Sequence, residues 1–148
     1  MASGEMRLEY LPLTQVLVWE ANPKDHNVGE IYQSIRRHGF VDPFVRDERT
    51  GKLVAGHGRR EALLQMKISG ERPPARVKAD GVDWLMPVIC GLSFADEAEA
   101  EAYALASNQL VIAGGWKEDL LASVLSNLAA NDKLAGTGWD KEDVDELI

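Results

Sequence analysis

The chain has 148 residues, of which 45% are hydrophobic, and its formal net charge is −8 at pH 7. This apolar content suffices for the core of one compact domain, and no apolar run approaches the ~20 residues needed to cross a bilayer. The single cysteine excludes an internal disulfide. Together with an N-terminus that lacks an apolar leader, it predicts a cytoplasmic protein that is not attached to a membrane.

The charge is unevenly distributed. Residues 1–93 hold 13 Lys and Arg against 12 Asp and Glu, a net +1, whereas residues 94–148 hold 3 against 12, a net −9. An acidic chain is a poor unaided binder of DNA, because affinity for DNA comes largely from neutralising phosphates. We therefore expect contact with DNA only indirectly, through a partner. A local basic patch is the alternative, formed by Arg36, Arg37, Arg46, Arg59 and Arg60.

Short strands dominate the first part of the chain, and one helix begins at the N-cap residue Asn27 and ends at Gly39. In chain order the predicted elements are one or two strands within 8–19, a polar loop over 20–27, a helix over 28–38, and a hairpin with strands at 43–47 and 52–55. This hairpin leads into a glycine turn and a second helix, which starts at Arg59.

Helices dominate the second part. In chain order we expect an irregular loop over 69–83, a buried strand over 84–90, an alanine-rich helix over 95–106 closed by 108–110, a helix over 117–131 and an acidic segment over 140–148. Ser93 and Asp96 resemble a capping box at the start of the alanine-rich helix. Cys90 lies among apolar residues and is predicted to be a core residue. The order of elements predicts an α/β sheet core in residues 1–93, with residues 94–148 as the helical part of the same domain.

The turn Gly56-His57-Gly58, followed by Arg59 and Arg60, is the most informative motif. A strand that turns through glycines into a helix presents free N–H groups and the positive end of the helix dipole. Arginine side chains match phosphate oxygens. The motif predicts an anion site, most simply for nucleotide phosphates, although it is neither a Walker A loop nor a dinucleotide fingerprint. In the alternative interpretation the glycines serve only the turn and the arginines are solvated.

Several ordered motifs extend over about residues 10–148. They are Asn22-Pro-Lys-Asp-His26, the helix from Ile31 to Phe40, Asp42-Pro-Phe-Val45, Val54-Ala-Gly-His-Gly-Arg59 with Glu61-Ala62, Ser107-Asn-Gln-Leu110, Gly115-Trp-Lys117 and Thr137-Gly-Trp-Asp140. Together they resemble the N-terminal domain of the ParB/sulfiredoxin superfamily. The nearest subgroup is the ParB-like (ParB-like nuclease) domain of phage and prophage DNA modification methylases and of stand-alone phage or actinobacterial proteins.

The resemblance implies a small mixed sheet flanked by helices, with a nucleotide bound at the glycine turn. In partitioning ParB proteins that nucleotide is CTP with a divalent metal. Carried over to this chain, Gly56, Gly58 and Arg59 would cradle phosphates, with Arg60 beside them. By the same matching, Arg46 would lie near the nucleotide, and Asn108 near phosphate and metal.

Two positions depart from the partitioning proteins. His57 stands where they have a glutamate, and Ser107 where they have an acidic residue. Both carboxylates serve metal-assisted phosphate chemistry, so their absence puts CTP hydrolysis in doubt. His57 itself is a candidate to donate to a phosphate or carry a proton, with a structural role as the alternative. Asp25 is a candidate acid–base or metal-holding residue, with a turn-forming role as the alternative.

The leading hypothesis is a nucleotide-binding accessory or regulatory domain in DNA modification, phage DNA metabolism or DNA partitioning. Its cofactor would be CTP or ATP, with Mg²⁺ as a companion, and its partner a DNA methyltransferase or another DNA-processing protein. One alternative is an enzyme: an NTPase, a phosphotransferase or, with less support, a nuclease. Another is a protein-interaction module that uses the acidic half. The apolar face Leu120, Leu121, Val124, Leu125 and Leu128 is assigned to the core, with a homodimer interface as the alternative.

Overall fold

A computed structural model of the chain describes residues 2–18 and 27–148. Its strands are β1 Arg7–Pro12, β2 Phe44–Arg46, β3 Leu53–Ala55, β4 Lys78–Asp80 and β5 Asp83–Cys90. Its helices are α1 Val28–His38, α2 His57–Ile68, α3 Glu97–Gly114, α4 Glu118–Ala130 and α5 Lys141–Leu147. Among these described residues no helix is both long and apolar enough to span a lipid bilayer.

The strands form a mixed sheet around β5, and the predicted fold class is confirmed. β5 pairs antiparallel with the whole of β1 through its residues 85–90, and antiparallel with β4 at its start. At its other end it pairs parallel with β2, which forms an antiparallel hairpin with β3. The central position of β5 follows from its sequence, because a continuous apolar run suits a strand that is covered on both faces.

The main core lies between the sheet and the helices α1 and α2. Ile35 of α1 and Leu63 and Met66 of α2 pack there against side chains from the sheet. Phe40 and Phe44 meet edge to face, with ring centroids 5.1 Å apart. Cys90 is fully buried in this core, as predicted.

Helix α1 has the predicted bounds, and the two residues predicted to end it, Asn27 and Gly39, are its cap residues. The side chain of Asn27 accepts a hydrogen bond from the Glu30 N–H at 3.3 Å, which caps the first turn. Gly39 ends the helix at φ 79°, a conformation that costs other residues energy. A β-carbon at Gly39 would also collide with Ala75 and with the guanidinium of Arg76. Arg76 in turn donates to the carbonyls of His38 and Phe40 and fixes the chain as it leaves α1.

Two predicted helix boundaries are wrong, and one strand was not predicted. α2 begins at His57 rather than Arg59, because Gly56 makes the bend alone at φ 110° and Gly58 is already helical. The segment predicted as an irregular loop contains β4, which adds to the sheet through the start of β5. α3 continues through 108–110 to Gly114, since Asn, Gln and Leu are tolerated inside a helix and glycine is the first residue that ends it.

The start of α3 also differs from the prediction. Asp96, rather than Ser93, is the N-cap residue, and its side chain accepts from the Glu99 N–H at 2.9 Å. Ser93 is engaged elsewhere, because its backbone pairs with the backbone of Ser3 across the sheet edge.

The last two helices have a small core of their own, made by Leu125, Leu134 and Val144. The apolar face predicted on α4 is divided: Leu121 and Leu128 pack on this core with Leu125, whereas Leu120 and Val124 are exposed. This unit is fastened to α1 by Arg37, whose guanidinium donates to the carbonyls of Lys133 and Ala135. Gly136 lies against the backbone of α1, where an added β-carbon would be 3.2 Å from the Ser34 Cα.

Candidate functional site

A cavity of about 620 Å³ opens between α1 and the start of α2. One wall is the C-terminal half of α1 with the segment 39–42 that follows it. The opposite wall is the first turn of α2, and α3 contributes Asn108. The lining residues are Ile31, Ser34, Ile35, His38, Gly39, Phe40, Val41, Asp42, Gly56, His57, Gly58, Arg59 and Asn108.

Gly56 shapes the floor of this cavity. Its φ of 110° lies in the left-handed region that favours glycine. A β-carbon there would also lie 3.0 Å or less from two ring carbons of Phe44, so the bend needs both the conformation and the missing side chain. The position is therefore restricted to glycine for two independent reasons.

The first turn of α2 carries an electrostatic field that attracts anions. The N–H of Arg60 donates to the Gly56 carbonyl at 2.9 Å, and the N-cap residue, Gly56, has no side chain with which to cap the turn. The first N–H groups of a helix point out of its N-terminus, and the helix dipole adds partial positive charge there. The start of α2 therefore favours an oxyanion seated above Gly56–Arg59.

Arg59 adds a full positive charge at the same place. Its Nη2 donates to the Pro43 carbonyl at 3.2 Å, while its Nε is buried and has no hydrogen-bond partner. Within the described part of the chain no carboxylate forms an ion pair with it. Burial lowers the pKa of the Arg59 guanidinium, and the negative charge of Asp42 offsets part of that decrease. Because arginine remains protonated in proteins, Arg59 is a partly buried cation with spare donors.

A smaller cavity of about 170 Å³ lies on the other side of the same turn. It is lined by Val54, Ala55, Gly56, His57, Arg59, Ala104, Ser107 and Asn108. Asn108 donates through Nδ2 to the Ala104 carbonyl in its own helix at 2.9 Å. This bond holds the amide at the border between the two cavities, so that α3 meets the α2 turn through a side chain that also has an acceptor oxygen.

The structure does not bring Arg46 or Arg60 into this cavity. Arg60 donates through Nε to the Val16 carbonyl at 3.0 Å and so fastens α2 to the chain after β1. Arg46 is held by both carboxylate oxygens of Glu48 at 2.9 Å. Glu48 also accepts from the Gly91 N–H at 2.7 Å, so this group ties β2 to the end of β5. Neither side chain lines the cavity, and their predicted roles, Arg46 near the nucleotide and Arg60 beside the phosphates, stay predictions.

Of the two catalytic candidates, the structure describes His57 but not Asp25. His57 is the first residue of α2 and lines both cavities, so it can reach a bound phosphate. Asp25, with His26 beside it, lies outside the described residues, and its role stays a prediction.

Three polar residues of the cavity were missed by the sequence analysis: Ser34, His38 and Asp42. Ser34 and His38 lie one helical turn apart on α1, a spacing that places them on one face. That spacing was the only signal in the sequence. The cavity forms where α1 packs against α2, and no local sequence pattern predicts that contact.

The described residues hold no thiol nucleophile and no ready-made metal cluster. Burial, followed by a hydrogen bond with Glu9, raises the pKa of the Cys90 thiol to about 11. The thiol is therefore protonated at neutral pH, and Cys90 is a packing residue. In the same part of the chain no three His, Cys, Asp or Glu side chains are grouped so that they could hold a metal ion.

No family model matches this chain, and no curated protein matches it. The resemblance to the ParB/sulfiredoxin superfamily therefore depends on the sequence motifs themselves.

Proposed function

We propose that the cavity between α1 and α2 binds the polyphosphate of a nucleoside triphosphate, CTP or ATP. The observation that carries this proposal is Arg59, a partly buried cation whose Nε has no hydrogen-bond partner, beside a helix N-terminus whose cap residue is glycine. Charges in such places cost free energy unless something neutralises them. A phosphate would supply the missing charge and acceptors to both groups at once.

The rest of the cavity suits the rest of a nucleotide. A volume of about 620 Å³ lies in the usual range of small-molecule sites, about 300–1,000 Å³. Ile31, Ile35, Phe40 and Val41 offer an apolar wall for a base, while Ser34 and His38 offer polar groups. Binding sites commonly combine these features: apolar walls with a few placed polar groups.

The donors also fit a magnesium ion that arrives with the nucleotide. Mg²⁺ usually keeps several waters and binds through one or two carboxylates plus the phosphates of the substrate. Asp42 is the one carboxylate among the described residues that line the cavity, and Asn108 adds an amide oxygen. Mg²⁺ would shield the phosphate charge, and no preformed cluster is needed for that role.

We further propose that this nucleotide-binding domain is accessory to DNA modification, phage DNA metabolism or DNA partitioning, as a member of the ParB/sulfiredoxin superfamily. The support is the series of motifs given above. A DNA methyltransferase or another DNA-processing protein would be the partner. Contact with DNA would be indirect, because the chain carries a net charge of −8.

A second candidate is phosphoryl transfer or nucleotide hydrolysis at the same site. It is favoured by His57 and Asp42, which line one cavity and offer a proton carrier and a carboxylate beside the phosphate position. A nuclease has less support than either of these.

Calorimetric titration tests the proposed function. CTP, ATP, ADP and GTP are titrated into the chain at low ionic strength, with and without Mg²⁺. We expect saturable binding of at least one triphosphate, with weaker binding of its diphosphate. If none of the four binds at millimolar concentration, the proposal is wrong. Phosphate release in the same samples, compared with the His57→Ala variant, separates binding alone from turnover.

A further inference from the structure

A cavity of about 270 Å³ lies between the start of α1 and the last two helices. The described residues that line it are all different from those of the cavity between α1 and α2. Its volume is below the usual range of small-molecule sites, about 300–1,000 Å³, so it suits a single side chain better than a nucleotide. We call it the acidic cavity, and the lining residues that matter below are Glu30, Asp132, Leu134, Trp139, Asp140 and Lys141.

The apolar wall of the acidic cavity is held in place by packing. Leu134 is buried in the small core of α4 and α5, and the half-buried Trp139 packs against that core. The Trp139 ring also meets the Trp116 ring edge to face, with centroids 5.9 Å apart. None of the cations in the described residues lies over the Trp139 ring. An indole is the best aromatic partner for a cation, so this ring is an oriented and unused surface for one.

The charges that line the acidic cavity are mostly negative. Glu30, Asp132 and Asp140 face Lys141, which leaves a net charge of −2. Asp140 is engaged as the cap of α5, where its Oδ1 accepts from the Asp143 N–H at 2.9 Å. Within residues 2–18 and 27–148, neither the Glu30 nor the Asp132 carboxylate forms an ion pair or a hydrogen bond. Two carboxylates from separate segments therefore converge on one cavity without a cation between them.

The end of α4 adds to this negative field. Ala129 and Asp132, at the C-terminal end of α4, both line the acidic cavity. The C-terminus of a helix carries partial negative charge, which a Lys, Arg or His in the last turn commonly balances. The last turn of α4 has no basic residue. The helix end and the carboxylates thus favour the same kind of ligand, a cation.

We propose that the acidic cavity binds an arginine side chain from a basic segment of a partner protein. The guanidinium plane stacks on the Trp139 ring, while its N–H groups donate to the Asp132 and Glu30 carboxylates. The methylene groups of the same side chain lie against Leu134. An arginine meets all three features at once, because it combines a planar cation, several donors and an apolar stem.

The surface around the acidic cavity favours a protein segment over a free amine. The acidic character continues along α5, where Glu142, Asp145 and Glu146 are exposed. Further basic residues beside the bound arginine would meet these carboxylates. A second copy of this chain, with its net charge of −8, and the phosphates of DNA would both be repelled by the same surface. Charge complementarity therefore selects a basic partner protein.

Calorimetric titration at low ionic strength, without nucleotide, tests this inference, which is independent of the proposed function. The probes are a short acetylated peptide rich in arginine and the same peptide with neutral citrulline in place of arginine. We expect saturable binding of the arginine peptide and none of the citrulline peptide. Acetylarginine amide, which has one side chain and no flanking residues, should bind at least ~10-fold more weakly than the peptide.

Two double variants with the same net charge locate the contact. Glu30→Gln with Asp132→Asn should weaken binding of the arginine peptide about 5- to 10-fold, the effect of two partly exposed ion pairs. Glu118→Gln with Asp119→Asn is the matched control, since both residues are exposed and Asp119 lies about 20 Å of helix from Asp132. This control should change the affinity by less than about twofold, because the separation exceeds a Debye length of about 10 Å.

Nuclear magnetic resonance identifies the aromatic wall. The indole N–H resonance of Trp139, assigned with the Trp139→Phe variant, should shift as the arginine peptide saturates the chain. The inference is overturned if the arginine peptide does not bind at millimolar concentration or if the citrulline peptide binds equally well. Equal losses in the two double variants, an unchanged Trp139 resonance, or acetylarginine amide that binds as tightly as the peptide overturn it as well.

Discussion

Arg59 and Arg60 are adjacent in α2 but make separate contacts: Arg59 lines the cavity, whereas Arg60 donates to the Val16 carbonyl at 3.0 Å. The two residues carry the same charge, on the same helical turn and in the same field. They therefore form a natural pair for separating a role in binding from a role in stability.

Arg59→Gln should weaken nucleotide binding by about 10- to 100-fold, because a charge-assisted hydrogen bond contributes about 1.5–3 kcal/mol. Arg60→Gln should change the affinity by less than about twofold, since the residue does not line the cavity. Calorimetric titration of both variants measures the difference. Equal losses would show that general charge, rather than Arg59, attracts the ligand.

The stability of the same two variants should change in the opposite order. Without ligand, the Arg59 charge is partly buried and has no carboxylate partner in the described residues, so its removal should offset the loss of its hydrogen bond to the Pro43 carbonyl and leave the free energy of unfolding nearly unchanged. Arg60→Gln loses a hydrogen bond and should lower this free energy by about 1 kcal/mol. Urea unfolding of each variant checks both values.

Gly56→Ala should damage both the fold and the site. An alanine at φ 110° is strained, and its β-carbon would press on Phe44, so we expect a loss of about 3 kcal/mol in the free energy of unfolding. Gly70→Ala is the control, because Gly70 also has a positive φ of 77° but open space around it, and it should cost about 1 kcal/mol. Equal losses of unfolding free energy for the two variants, measured by urea unfolding, would mean that the Phe44 ring can move aside at no cost in free energy.

Asn108→Ala should weaken nucleotide binding about fivefold, the effect of one neutral hydrogen bond of about 1 kcal/mol. Asn131→Ala is closely matched, because the Asn131 amide also donates to the carbonyl four residues earlier, at 2.7 Å, but far from the cavity. Both variants lose that local bond, so only the affinity should separate them. An unchanged nucleotide affinity of the Asn108→Ala variant would show that α3 does not contribute to binding through Asn108.

Glu48 should contribute to stability in a pH-dependent way. The hydrogen bond from the Gly91 N–H, followed by the one from Arg46, lowers the pKa of Glu48 from its ordinary value of 4.5. A carboxylate with a lower pKa in the folded state stabilises the fold above its unfolded pKa, and the effect is lost as the pH falls through the folded pKa.

Glu48→Gln should therefore lower the free energy of unfolding at pH 7 by about 1 kcal/mol, and the difference should disappear as the pH falls from 7 through the lowered pKa that Glu48 has in the folded state. Glu61→Gln, at an exposed position of α2, serves as the control. The measurement is urea unfolding across this pH range. A difference that persists at low pH would show that packing, rather than ionisation, gives Glu48 its effect.

Much of the fold was predictable because its signals are local. The cap at Asn27, the glycine at 39 and the apolar run of β5 each act within a few residues, and these elements form where they were expected. The predicted end of α3 was wrong because the helix continues through Gly114 and ends only at Gly115, which has a φ of 62°. β4 pairs with the start of β5, but it has only three residues, two of them charged, and sequence periodicity does not reveal so short a strand.

The site was predictable only in part. Gly56, His57, Gly58, Arg59 and Asn108 were singled out from the sequence and line one cavity. Arg46 does not line the cavity, because its side chain binds Glu48, two residues further on, which sequence position alone does not reveal. Asp42 and His38 join the cavity through the packing of α1 on α2, a contact between segments that are distant in sequence. Whether the cavity binds a nucleotide stays a prediction.

The hydrogen bonds that Arg37 donates to the segment between α4 and α5 have a consequence for sequence variation. Its guanidinium binds the main-chain oxygens of Lys133 and Ala135, which every amino acid possesses. Substitution at either position therefore leaves the acceptors in place, and the joint depends on the path of the backbone rather than on the chemistry of those side chains. Natural variants of this chain should tolerate wide diversity at 133 and 135 while they keep an arginine at 37 and a glycine at 136.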